Sequence, residues 1–278
     1  MNLKNRLKDL QYMPLESLTA EELEKLIDDM LGSIGSIDPE LRDDLIYATL
    51  VRIINEDGAL THEQYIHILD TALDDSHLFY KIGNERDDSV FTRSFSSLAI
   101  AAVLRVDARI DFLERESFDG TMTRILTYIE QERDTRGFVH RKGWAHSIAH
   151  GADMLVHLVR NPKFSNDDLP SILGAIQSCL FKEAAYTDLE DERLIFAIEV
   201  ALMERDLSDD LLESWIYGVF AALKAVFDVE VFSYRYHRIQ VNVVNFMKTL
   251  FFTFKYSRTR LRIRVQILNL LESLNRHN

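Results

Sequence analysis

Residues 208–227 read SDDLLESWIYGVFAALKAVF. Leu212, Trp215, Ile216, Val219, Leu223 and Phe227 recur at helical spacing over four turns. Ser208 stands before an acidic pair, which suits the positive end of a helix dipole. The same grammar recurs elsewhere. Met122, Ile125, Leu126 and Ile129 follow it, and so do Leu194, Ile198, Ala201 and Leu202. Thr19 with Glu22 and Thr61 with Gln64 have the spacing of capping boxes. Asp38–Pro39 reads as an N-cap and first helical residue, and Ser165 as another cap. Arg258, Arg260, Arg262 and Arg264 alternate with other residues, but Leu261, Val265, Leu268, Leu271 and Leu274 continue as one helical stripe. The segment is therefore expected to be a helix.

These signals place helix starts near 19, 38, 61, 88, 121, 142, 165, 188, 208, 234 and 259. A helix pair then occupies about 45 residues, close to the period of HEAT and armadillo hairpins. The expected fold is all-α: an α-solenoid of stacked antiparallel hairpins forming one domain over 1–278, with an irregular bundle as the alternative. Weak points for a boundary lie at 83–90 and 227–233.

Composition agrees. The 278 residues are 47% hydrophobic and 28% charged, the balance of a globular chain. Ten glycines and four prolines are too few for a turn-rich β fold. The single cysteine, Cys179, excludes an internal disulfide and reads as a core residue. Net charge is −13, unevenly spread: residues 230–278 carry nine Lys/Arg against Glu230 and Glu272, so that segment is +7 and the remainder −20. Such acidity disfavours nucleic acid as a partner. The start, MNLKNRLKDLQYMP, lacks the apolar run of a secretion signal, and Val241–Phe254 is too short and too interrupted to span a bilayer. A cytosolic protein without membrane attachment is expected. There is no phosphate-binding glycine loop, nucleophile elbow or EF-hand loop.

One segment carries the chemistry. Residues 134–157 read DTRGFVHRKGWAHSIAHGADMLVH, with four of the nine histidines. On a helix starting near 142–144, His146, His150, Asp153 and His157 point about 0°, 40°, −20° and 20° around the axis, at about 100° per residue. Such a stripe could ligate a divalent transition metal such as zinc through His146, His150 and Asp153. It could instead poise a histidine as a base, or, with Arg136, Arg141 and Lys142, hold an anion. It could equally be a structural hydrogen-bond network. The HSIAH pattern lacks the glutamate of the metalloprotease motif. Arg93, in FTRSFSS, calls for an acidic partner, with Asp134 or Asp153 expected. The aromatic group Phe232, Tyr234, Tyr236, Phe246, Phe251, Phe252, Phe254 and Tyr256 is expected to be helix-packing core.

The strings RGF (136–138) and GWAHSIAHGADML (143–155) resemble the signature of a bacterial all-helical family described as a domain of unknown function. VFTRSFSSLAIAAVL (90–104), with Arg93, and NFMKTLFF (245–252), with Asn245, are similar to it as well. The resemblance covers the chain from about residue 40 onward. It implies a helical fold and a single module, and marks Asp134, Arg136, Lys142, Trp144, His146, His150 and Asp153 as characteristic positions. It implies no activity. Two functions therefore stand: a binding or scaffold module whose polar cleft, on a concave face, takes a protein, a peptide or an anionic small molecule, and a metal-dependent hydrolase.

Overall fold

The computed structural model describes residues 2–231 and 233–275. Among these, twelve α-helices are joined by short connections, and the extended structure is one two-residue pair of strands. The chain divides into two compact units, Met1–Phe164 and Ser165–Asn278. The weak point at 83–90 lies within the first unit and runs into the start of its longest helix.

The first unit begins with α1 (Leu3–Leu10) and α2 (Ala20–Leu31). A wide π-helical segment, Glu40–Tyr47, runs directly into α3 (Ala48–Asn55), and α4 (His62–Leu73) follows. Both capping boxes form, Thr19 with Glu22 and Thr61 with Gln64. Then come α5 (Ser89–Ile110), α6 (Arg115–Gln131), β1 (Phe138–Val139), β2 (Gly143–Trp144) and α7 (Ser147–Arg160). Helix α5 is the hub and packs on α3, α4 and α7, while α2 packs on α4 and α6 on α7. Its 18-residue apolar window has mean hydropathy 1.3, long and apolar enough to cross a membrane, yet 89% of it is buried in the protein. Buried Arg93 and Asp107 lie on the same helix, whose apolarity serves the core.

Gly35 sets how closely the loop before the π segment approaches α5. A Cβ there would stand 2.0 Å from the Thr92 hydroxyl and 2.9 Å from the Thr92 Cα.

The second unit holds α8 (Leu169–Leu180), α9 (Glu190–Glu204), α10 (Asp209–Val229), α11 (Tyr234–Tyr256) and α12 (Leu261–Asn275). Helix α11 packs on α8, α9, α10 and α12, and α10 on α12. The aromatic group is only partly core. Tyr236, Phe246 and Phe254 are buried, whereas Tyr234, Phe252 and Tyr256 are exposed. Phe232 and Arg276 lie outside the described residues. Cys179 is buried, and desolvation pushes its thiol up to about 11, so it stays protonated and inert.

Candidate functional site

The expected four-residue stripe is not one helical face. Helix α7 starts at Ser147, and His146 precedes it in the left-handed region at φ 49°. The stripe therefore reduces to His150, Asp153 and His157. Upstream, where a helix was expected from 142, β1 and β2 pair as a small hairpin with Phe138 opposite Trp144 and Val139 opposite Gly143. Arg141 and Gly143 also have positive φ, 65° and 78°. Arg141 and His146 thus store backbone strain within six positions, as do the pairs Lys81 with Arg86 and Arg258 with Arg260 elsewhere.

Contacts far away in sequence impose this geometry. Arg42, on the π segment, is fully buried. Its Nη2 donates to the Lys142 carbonyl at 2.7 Å, and its Nη1 to the Ser36 carbonyl at 2.7 Å. Its guanidinium lies 4.2 Å over the Phe91 ring and 4.7 Å over Phe95. The Asp43 carboxylate sits 2.8 Å from its Nε as an ion pair, without the alignment of a hydrogen bond. Gly143 is required twice: for its φ, and because a Cβ would stand 3.0 Å from the Arg42 Nη2. Apolar packing holds the other side, with Val139 and Ala145 against Val90 and Phe91 of α5.

The charged residues singled out in the sequence tie the same loop to the start of α5. Arg136 clasps Asp134 with two hydrogen bonds, Nε to Oδ1 at 2.8 Å and Nη2 to Oδ2 at 2.7 Å, and reaches the Asp87 carbonyl at 2.8 Å. Lys142 bridges to Asp88 at 2.7 Å. Arg93 is buried, but its partner is neither Asp134 nor Asp153. It is Glu132, held by two hydrogen bonds at 2.6 and 2.8 Å. Glu132 ends α6 and also accepts the Arg133 and Asp134 amides at 2.9 Å, so one buried carboxylate joins α5 to the loop.

Three rings stand together. The Trp144 indole stacks on His146 at 4.4 Å between centroids, and Phe138 meets Trp144 edge-on at 5.2 Å. Phe138 is 56% exposed and Trp144 42%. His150, buried on α7, meets His146 edge-on at 5.9 Å. Ser94 donates its hydroxyl proton to the Ala145 carbonyl, so at 2.7 Å its oxygen accepts from His150 Nδ1–H. In its neutral form His150 then carries its lone pair on Nε2. Asp153 is half-buried one turn further along α7. Among the described residues, His146, His150 and Asp153 do not bring three ligand atoms within 4.8 Å of one another. His157 is depressed to about 4 by desolvation first and by the Arg105 and Arg160 charges second.

Residues 78–252 match the family described as "Protein of unknown function (DUF2785)". The chain belongs to that family. The match is shorter than the span expected from the sequence, and it holds α5, the hairpin and α7 but not Arg42. No curated protein and no solved structure matches the chain.

The residues that sequence reading missed are Arg42, Ser94 and Glu132. None lies in the histidine segment. None of the three carries a local signal; for the hairpin the signal was Gly143 just after the turn at 140–142, which the helical stripe masked.

Proposed function

We propose that this DUF2785 chain is a binding module whose ligand is a planar anion seated on the Trp144–His146 stack. One observation carries the reading: an exposed indole stacked on a strained histidine, set in a basic island of an acidic chain. Residues 133–144 hold Arg133, Arg136, Arg141 and Lys142 against Asp134 alone, in a chain of net charge −13. Arg136 and Lys142 are held by carboxylates, whereas Arg133 and Arg141 are exposed and make no ion pair among the described residues. A π face with arginines close by in the sequence favours an aromatic ring bearing a phosphate or carboxylate. The buried Arg42 and Glu132 contacts support the shelf, so it is preorganised.

Calorimetry with phenyl phosphate tests this. Saturable binding is expected, lost in Trp144→Ala and weakened about tenfold in Arg141→Ala, in line with the removal of one charge-assisted contact. Inorganic phosphate binding as tightly as phenyl phosphate would remove the role of the indole.

A second reading, a metal-dependent hydrolase using His146, His150 and Asp153, requires these three ligand atoms to draw closer than they stand here; what supports it is His150, whose Nδ1 is engaged by Ser94 and whose Nε2 is the nitrogen it would offer a metal. About one equivalent of zinc in the purified protein, lost with His150→Ala, is the result that supports it.

We also infer that the helices within each unit stack as hairpins of the HEAT and armadillo kind. Packing between helices two apart supports this: α3 with α5, α5 with α7, α9 with α11, and α10 with α12.

A further inference from the structure

Helix α12 has two apolar faces, and one is uncovered. Ile263 and Ile267 are fully buried, as expected of a helix packed on α10 and α11. Leu261, Val265 and Leu268 are 66%, 50% and 46% exposed. At about 100° per residue these three lie within an arc of about 60°, a ridge spaced i, i+4, i+7. Exposed single apolar residues are ordinary, but a ridge of this spacing is what a partner helix packs against.

The charge around the ridge says what kind of helix. Residues 231–271 contain eight Lys/Arg and no acid. Arg262 and Arg264 flank the ridge on opposite sides by helical geometry. Arg260 pairs with Asp209, and Arg262 with Asp210 and Glu213. Arg258 and Arg264 make no ion pair among the described residues, and the Arg264 Nε is a buried donor without a hydrogen-bond partner. A second copy docking ridge to ridge would set these arginines against their own counterparts. A lipid surface calls for a broad apolar face, and the exposed residues of α12 form a ridge only about 60° wide.

We propose that the α12 ridge docks an amphipathic helix of another protein, apolar along one stripe and flanked by Asp and Glu. The inference is independent of the Trp144 shelf.

The test uses the full chain with labelled Leu and Val methyl groups. One probe is a synthetic helical peptide with leucines along one stripe and glutamates beside them, and the other is the same peptide with lysines for glutamates. The Leu261, Val265 and Leu268 methyl signals should move with the glutamate peptide, and the affinity should fall about tenfold from low to high salt. In the double substitution Val265→Glu/Leu268→Glu, Leu261 keeps its methyl reporter, and its shift should be abolished with Tm little changed, since both substituted positions are about half exposed. Equal binding of both peptides, or no shift with either, overturns the proposal. Sedimentation showing a dimer that the double substitution dissolves would assign the ridge to a second copy. Binding to phosphatidylglycerol vesicles without binding to the peptide would assign it to a membrane.

Discussion

The Arg42 guanidinium donates to the Lys142 carbonyl at 2.7 Å, joining positions 100 residues apart. This bond holds the hairpin that displays Trp144, and it comes from a residue outside the stretch that matches the family. The N-terminal helices thus help to shape the candidate site.

Replacing Arg42 with alanine should cost about 3–5 kcal/mol, because it empties a fully buried site and leaves two part-buried carbonyls and the Asp43 carboxylate without their partner. Chemical denaturation measures the loss. Backbone amide exchange at 138–146 should rise in the same variant, and unchanged protection there would show that the hairpin stands without Arg42.

Glu132→Ala should also cost about 3–5 kcal/mol, since Arg93 is left buried and unpaired. The apolar pair Arg93→Met/Glu132→Leu should remain about 2–3 kcal/mol less stable than the native chain. Glu132 also holds the Arg133 and Asp134 amides, and Arg93 donates to the Tyr80 carbonyl at 3.0 Å, so an apolar pair abandons backbone groups as well. Full recovery by the double variant would show that the ion pair alone mattered.

His157 supplies a pH dependence. Its folded pKa of about 4 lies below the ordinary value of 6.5, so the unfolded chain binds the proton more tightly. Its contribution is fully present above pH 6.5 and is lost as pH falls from there toward 4. The whole effect is about 3 kcal/mol. His157→Asn should flatten the stability profile in that window, and an unchanged slope would place the titration elsewhere.

Gly35→Ala should cost about 1–3 kcal/mol, because the new methyl meets the Thr92 backbone as well as its side chain. Thr92→Ala in the same chain should recover little of this, for the Thr92 Cα is also too close.

What was legible in the sequence was local. Thr19 and Glu22 form their reciprocal bonds at 2.9 and 3.2 Å because both partners sit within one turn. The helix starts at 19, 61, 208 and 234 rest on the same short-range chemistry. The candidate site was legible as a segment but not as a shape. His146 fits a helical stripe by period, yet Arg42, Ser94 and the left-handed turn hold it off the helix. Period records which residues could share a face, and no local pattern reveals an arginine arriving from a hundred residues away. The partner of Arg93 was missed for a related reason: the stripe drew attention to Asp134 and Asp153, while Glu132 at the end of α6 carried no motif.

The most direct test of the shelf is the indole N–H signal of Trp144, read by NMR in a Trp215→Phe chain where it is the sole tryptophan. Phenyl phosphate should move it saturably, cyclohexyl phosphate should not, and His146→Ala should abolish the response. A signal unmoved by phenyl phosphate, or moved equally by both compounds, would contradict a planar-anion site at Trp144 and His146.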